Sequence, residues 1–453
     1  MRRRHRGLAQ PYCLDSTPIL ARQERQESSA RTYPRRIPLV LRRAHGVYVE
    51  DTRGQVFIDC LAGAGTLALG HNHPRVVEAI RAALDSGLPL HTLDLATPVK
   101  DAFVQELLDT LPAAFARQAR IQFCGPTGAD AVEASLKLAR TATGRQTLLA
   151  FQGAYHGMTL GTLSISGTLA PKAALGGLLP GVHLLPYPHD YRCPFGLAGE
   201  AGVDASLHYL RHLLDDPESG VTPPAAVIVE PVQGEGGVIP APERWLHGLW
   251  QITRQRQIPL ILDEVQTGFG RTGRLFGFQH ADILPDVIAL SKAIGGGLPL
   301  AVVAYRDDLD RWQPGAHAGT FRGNQLAMAA GTATLRLIKA EGLADHAAAM
   351  GERLRRHLRR LQDEFSWIGD VRGRGLMLGM EIVDPAAPLP GGPPAADGRR
   401  ARRLQQGCLQ RGLILELGGR HGATVRLLPP LIITDAEIDV VAGILHQAAA
   451  ALH

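Results

Sequence analysis

Two residues of this chain have the types and placement for chemistry on a carbonyl or an amine. Asp263 follows the apolar run Ile258–Leu262, and Lys292 follows Val287–Leu290, 29 positions later. Each run reads as a short buried strand. In an α/β sheet the ligand crevice lies at the carboxyl ends of the strands, where both side chains would project. A lysine placed there is partly desolvated, which lowers its pKa and makes its amine a nucleophile toward an aldehyde. An acid beside it can hold a pyridine nitrogen protonated and so make the ring an electron sink. Gly295-Gly296-Gly297 then lets the backbone approach a ligand or a neighbouring subunit closely. Taken singly, an Asp at a strand end caps helices or pairs with cations, and a Lys before glycines is an ordinary surface residue. The pair at this spacing is what points to a site.

Two further segments belong with it. Cys124-Gly125-Pro126-Thr127-Gly128-Ala129-Asp130 joins a strand to a helix, where free amides and the helix dipole favour an anion. Ala154-Tyr155-His156-Gly157-Met158-Thr159 follows a strand that ends at Phe151. His71 and His73 lack a third ligand, so no metal is expected.

The elements that must position these residues show in the hydrophobic pattern. Gly46–Cys60 reads as a hairpin around Asp51-Thr52-Arg53-Gly54, and Pro74–Leu84 as a helix with proline in its first turn. Strands are expected at Ile121–Phe123, Thr147–Phe151, Ala226–Glu230, Ile258–Leu262, Val287–Leu290 and Leu300–Ala304. Helices are expected at Asp130–Arg140 and Glu243–Arg256. Strands alternating with helices imply an α/β fold with a mostly parallel sheet covered on both faces. Helices over Leu326–Ala340 and Leu343–Phe365 then lead to a smaller mixed unit. Its expected strands are Leu376–Ile382, Leu413–Leu415 and Val425–Leu428, its helices Arg399–Arg411 and Asp435–Ala450, and Asp384–Gly398 is a surface loop. The division expected is 1–70 as an N-terminal arm and part of the small domain, 71–330 as the large cofactor-binding domain, and 331–453 as the C-terminal small domain.

Composition narrows the class. The chain has 453 residues, 45% of them apolar and 20% charged, as in ordinary globular proteins. The net charge of +5 owes much to arginines near the N-terminus, among them Arg2, Arg3, Arg4, Arg6, Arg22, Arg25, Arg31, Arg35, Arg36, Arg42 and Arg43. No aromatic residues interleave with the first run, so a solvated, partly disordered arm is expected and no nucleic-acid partner. Five scattered cysteines suit a reducing cytoplasm. No apolar stretch reaches the roughly 20 residues that span a bilayer, so no membrane partner is expected either.

With these motifs in this order, the chain from about residue 35 onward resembles the class III, or ornithine-type, aminotransferases of pyridoxal-phosphate fold type I. Asp-Glu-Val-Gln-Thr-Gly (263–268) and Ser-Lys-Ala-Ile-Gly-Gly-Gly (291–297) sit at that family's spacing. The resemblance implies an aspartate-aminotransferase-like fold and pyridoxal 5'-phosphate held as a Schiff base on Lys292, which also shuttles the proton. By the same resemblance Asp263 pairs with the pyridine nitrogen, Gln266 bonds the ring hydroxyl and Tyr155 stacks on the ring. Gly128 and Ala129 cradle the phosphate, although Ala129 stands where a hydroxyl residue is common. Thr320, in Gly319-Thr320-Phe321-Arg322-Gly323-Asn324, matches a threonine that reaches the phosphate across a dimer interface, so a homodimer with shared active sites is implied. Glu235 and Arg426 match a carboxylate–arginine switch that accommodates two differently shaped substrates in turn. Glu230, on the same segment as Glu235, is grouped with them as substrate-binding.

Ornithine and 4-aminobutyrate enzymes usually carry an arginine where this chain has Met158, and methionine cannot grip a carboxylate. The segments around Met158, Gly128 and Thr320 together resemble most the members that work on diaminobutyrate and 2-oxoglutarate. The reaction implied is L-2,4-diaminobutyrate + 2-oxoglutarate = L-aspartate 4-semialdehyde + L-glutamate. Another ω-aminotransferase of the class (for a diamine, ornithine-like or β-amino acid), an aminomutase, and a non-catalytic ligand-binding protein of the same fold are the alternatives. The group that binds the second carboxylate of glutamate is left open.

Overall fold

A computed structural model describes residues 11–15, 17–389 and 391–452. The arginines at 2, 3, 4 and 6 lie outside these residues. The arm that follows is more ordered than expected. Thr17 caps a helix over Pro18–Gln26, and Arg31 pairs with Glu24 and Glu27.

Strands β1 (Leu41–His45), β2 (Tyr48–Asp51) and β3 (Val56–Asp59) form an antiparallel meander. The expected hairpin is β2–β3. Its turn closes because Asp51 accepts from the amides of Arg53 and Gln55, while Gly54 takes a φ of +77°.

The large sheet contains β4 (Ala119–Phe123), β5 (Thr147–Phe151), β6 (Val182–Leu185) and β7 (Pro224–Val229). After a short hairpin, β8 (Val232–Gln233) with β9 (Ile239–Pro240), the sheet is completed by β10 (Leu260–Asp263), β11 (Val287–Leu290) and β12 (Val302–Arg306). The spatial order is β4-β12-β11-β10-β7-β5-β6. Strands β6, β5, β7, β10 and β11 run parallel, whereas β12 is antiparallel to both its neighbours. Every residue of β5, β7, β10 and β11 is buried. Burial on both faces explains why these strands read as unbroken apolar runs. The reversal at β12 follows from its short connection to β11, since a parallel return would need a crossover of a dozen or more residues.

The C-terminal unit pairs β13 (Ile368–Arg374) with β14 (Met377–Asp384), and β15 (Ala395–Ala396) flanks β14. The single strand expected at Leu413–Leu415 proves to be two. β16 (Leu413–Ile414) lies parallel to β3, whereas β17 (Glu416–Gly418) pairs with β18 (Thr424–Leu427). The chain bends between them at Leu415, whose carbonyl accepts from Gln405 Nε2. Strand β13 was not apparent in the sequence, because only Ile368 and Val371 of its seven residues are buried. The last helix, Asp435–Ala450, opens with a reciprocal cap between Thr434 and Glu437.

Helix Gln325–Ala340 packs against the turn that carries Lys292. Contact is close at Gly331, where a Cβ would meet the Ile294 carbonyl and lie 2.9 Å from the Phe103 ring. Gly331→Ala should therefore overpack this seam and destabilise the protein by about 1–3 kcal/mol, read as a lowered thermal midpoint. An unchanged midpoint would show that the seam has slack.

Candidate active site

Asp263 ends β10 and Lys292 begins the turn after β11, and the two strands are adjacent and parallel with Asp263 opposite Ala289. Sheet register thus brings both residues to one side of a cavity of about 490 Å³. Its walls also include Gly128, Ala129, Tyr155, Glu230, Glu235 and Gln266. Of the residues singled out from sequence, Arg426 stands behind this wall, bonded to two residues that form it. Thr320 is not among the lining residues; it is exposed at the start of a short turn.

Burial pushes the Lys292 pKa below the ordinary lysine range, against the charges of Glu235 and Asp263. Asp263 is itself fixed. Its Oδ2 lies 2.7 Å from Nδ1 of His156, and its Oδ1 accepts the amide of Val265. Burial disfavours a charged His156, but the hydrogen bond and charge of Asp263 outweigh this and raise its pKa. His156 was noticed in the sequence only as part of a motif. Its partnership with Asp263 spans separate strands and leaves no local signal.

Gly128 and Ala129 begin helix Gly128–Thr143, whose cap is Thr127. As the first residues of the helix, their amides have no acceptor within it. A Cβ on Gly128 would come within 2.7 Å of Val265, so only glycine leaves this corner open. A Cβ on Gly157 would meet that of Ala129 at 2.6 Å, so the two residues share the space of one methyl group.

Glu230 lines the cavity, but both its oxygens accept backbone amides, Oε1 from Tyr155 and Oε2 from Gly234, each at 2.9 Å. Burial, countered by His156 and reinforced by Asp263, pushes its pKa up to about 7. Its geometry is that of a brace between two loops of the site. Glu264 plays a similar part behind the cavity. It accepts from Thr267 and from the amides of Gly277 and Phe278, and burial raises its pKa to about 7.

Arg426 is fully buried on β18. Its Nη1 lies 2.7 Å from Glu235 Oε1 and 3.7 Å from Glu416 Oε2, and its Nη2 donates to Gln266 Oε1 at 3.1 Å. Gln266 in turn donates to the carbonyl of Ala64, a residue held at a φ of +57°. Burial opposes the charge on Arg426, but Glu235 and Glu416 hold its pKa above the ordinary range. Glu416 was missed in the sequence. It sits opposite Arg426 across β17 and β18, a register that no local pattern announces. Tyr33, far away in sequence, lies near enough for the charge of Glu416 to add to burial in raising its pKa.

A cavity that joins a depressed lysine amine, a fixed carboxylate and an anion-ready helix start can hold a phosphorylated aldehyde. Capture of pyridoxal phosphate by the apoprotein, trapped with borohydride across a pH series, should be half-maximal below the ~10.4 of an ordinary lysine. Because the charge of Glu235 raises the Lys292 pKa, Glu235→Gln should move that midpoint lower still. A midpoint that ignores the substitution would show the two groups to be uncoupled.

A family model for class III aminotransferases matches residues 29–449. The chain is 59% identical over 437 residues to the diaminobutyrate–2-oxoglutarate aminotransferase of Rhizobium meliloti (strain 1021), covering 96% of this chain and 93% of that one. To the protein of the same name from Haemophilus influenzae (strain ATCC 51907 / DSM 11121 / KW20 / Rd) it is 51% identical over 422 residues, covering 93% and 92%. Among solved structures, a PLP-bound amine transaminase from an uncultivated Pseudomonas species superposes with a TM-score of 0.83 at 30% identity, covering 94% of this chain and 98% of that one. The chain belongs to the class III aminotransferases, pyridoxal-phosphate enzymes of fold type I.

Proposed function

We propose that this aminotransferase moves the terminal amine of L-2,4-diaminobutyrate to 2-oxoglutarate, giving L-aspartate 4-semialdehyde and L-glutamate. The observation that carries the reading is the ion pair between buried Arg426 and half-buried Glu235 at the edge of the Lys292 cavity. A guanidinium here suits the carboxylate of glutamate, and a carboxylate that can cover it suits a substrate entering by its far amine. The names of the two relatives support the same substrate pair. Met158, exposed at the cavity wall, offers no charge for a carboxylate, which favours this reading over an ornithine or 4-aminobutyrate enzyme.

When bound, pyridoxal phosphate supplies an electron sink for the carbanion left as a proton leaves the substrate carbon. Lys292 would hold the cofactor through its amine, and the same amine would serve as the base at the amine-bearing carbon of the substrate. Asp263, held by His156, would pair with the ring nitrogen. The amides of Gly128 and Ala129 would take the phosphate, Tyr155 would cover the ring, and Gln266 would bond the ring hydroxyl. Glu230 supports the substrate site through the two loops it braces.

The enzyme works as a homodimer in this reading, with Thr320 contributed to the neighbouring site. Leu90, Leu93, Leu95 and Phe321 are half or more exposed, and a dimer interface would cover them. They lie together, for Thr92 donates to the Gly323 carbonyl and the His91 and Phe321 rings are 5.5 Å apart. Among the described residues no helix is long and apolar enough to cross a membrane. The five cysteines are free, which suits a reducing cytoplasm.

Purified protein given diaminobutyrate and 2-oxoglutarate should form glutamate, identified by mass, and Lys292→Ala should lower the rate by about 10³-fold or more. Faster turnover of a diamine lacking the carboxylate, or of a β-amino acid, would move the assignment to another ω-amine substrate. Sedimentation should show a dimer that Phe321→Asp dissociates, with loss of retained cofactor. A fully active monomer would remove Thr320 from the site.

A further inference from the structure

We propose that Arg372 and Arg420 are positioning residues for Glu235, clamping the backbone from which its side chain reaches Arg426. The proposal rests on the reading of Glu235 and Arg426 as the device that admits two substrates in turn.

Three consecutive carbonyls of the Glu235 loop accept hydrogen bonds, all from the C-terminal unit. The Glu235 carbonyl accepts from the amide of Gly419 (2.8 Å), that of Gly236 from Arg420 Nη1 (3.1 Å), and that of Gly237 from Arg372 Nε (2.9 Å). On the other side of the loop, the Gly234 amide donates to Glu230. Glycines make this approach possible. A Cβ on Gly236 would lie 2.5 Å from the Gly153 carbonyl, and one on Gly418 would lie 2.6 Å from Arg426 Cδ and 3.2 Å from the Glu235 carbonyl. Gly237 has a φ of +119°. The loop backbone is thus held from both sides, while the Glu235 side chain remains 35% exposed.

Arg372 is itself anchored. It pairs with Glu381 at 2.7 Å and Asp370 at 2.9 Å, and it donates to Thr424 Oγ1 at 3.2 Å. Glu381 also binds Arg192 at 2.5 Å. Thr424 lies two residues before Arg426 on β18, so one anchor of Arg372 and the switch arginine share a strand. Arg372 and Arg420 therefore fix the distance between the backbone of Glu235 and the guanidinium it covers. With the loop unable to swing, Glu235 opens and closes by side-chain rotation alone. The clamp sets the strength of the closed pair, and with it the fit for an amine substrate that brings no carboxylate to Arg426.

The test uses the holoenzyme, with separate KM values for diaminobutyrate and 2-oxoglutarate in Arg420→Met, Arg372→Lys, Glu235→Gln and Arg420→Met/Glu235→Gln. Arg420 is exposed and makes one hydrogen bond to the loop, so Arg420→Met should fold even if Arg372→Lys does not. Arg420→Met should raise the KM for diaminobutyrate roughly fivefold, the scale of one lost hydrogen bond, without raising that for 2-oxoglutarate. Added to Glu235→Gln, it should change nothing more, because its effect passes through Glu235. Equal changes in both KM values, no change in either, or an undiminished effect in the Glu235→Gln background would overturn the clamp while leaving the switch intact. If Glu235→Gln alone leaves the ratio of the two KM values unchanged, the switch reading fails and the clamp with it.

Discussion

The pairing of β10 with β11 is the constraint on which the site depends. Because the strands are parallel and adjacent, their carboxyl ends deliver Asp263 and Lys292 to the same rim. The chain must then turn back into antiparallel β12, and that turn begins at Lys292, with a φ of +50°. A left-handed conformation at a non-glycine residue costs about 1–3 kcal/mol and persists only where its surroundings impose it. Here Ser291 Oγ is bonded to the Leu300 carbonyl, and Gly296 is pressed against helix Gln325–Ala340 with no space for a side chain. The lysine is thereby aimed by backbone geometry as well as by its neighbours.

Around that lysine the protein gathers acids and keeps each under separate control. Asp263 has His156, Glu235 has Arg426, and Glu230 and Glu264 are caged by amides. The caged pair have pKa values of about 7, above those of an unfolded chain. A carboxyl raised on folding holds its proton in the native state while the unfolded chain has already released it. Its stabilising contribution is therefore complete at pH values below the ordinary carboxyl range, and it declines as the pH rises toward 7. Rigidity of the loops bearing Tyr155 and Gly234 is bought with stability that would otherwise be available at neutral pH.

Much of this was legible in the sequence, because doubly buried parallel strands write themselves as apolar runs. The core strands that lead into Asp263 and Lys292 stood out for that reason, while the hairpin showed in its turn residues and the helix expected at Asp130–Arg140 in its periodicity. Features that depend on contacts distant in sequence did not. Glu416 faces Arg426 only through strand register, and His156 meets Asp263 only because the loop after β5 lies against the end of β10. Strand β13, with apolar side chains at only two of its seven positions, carries no hydrophobic rhythm. The bend at Leu415 was hidden for the opposite reason, since an apolar run does not record that it serves two sheets.

Strand β3 completes its pairing with β16, a partner more than 350 residues further along the chain. During synthesis, the amino-terminal hairpin emerges long before Leu413 leaves the ribosome, and until then one edge of β3 has no strand beside it. An apolar edge left open invites pairing with other chains. Closure over so long a loop is also slow, because its entropy is lost before its contacts form. The nascent enzyme therefore passes through a prolonged stage in which its first strands are its most aggregation-prone surface, and its solubility in the cell depends on what shields that edge until the C-terminal unit arrives.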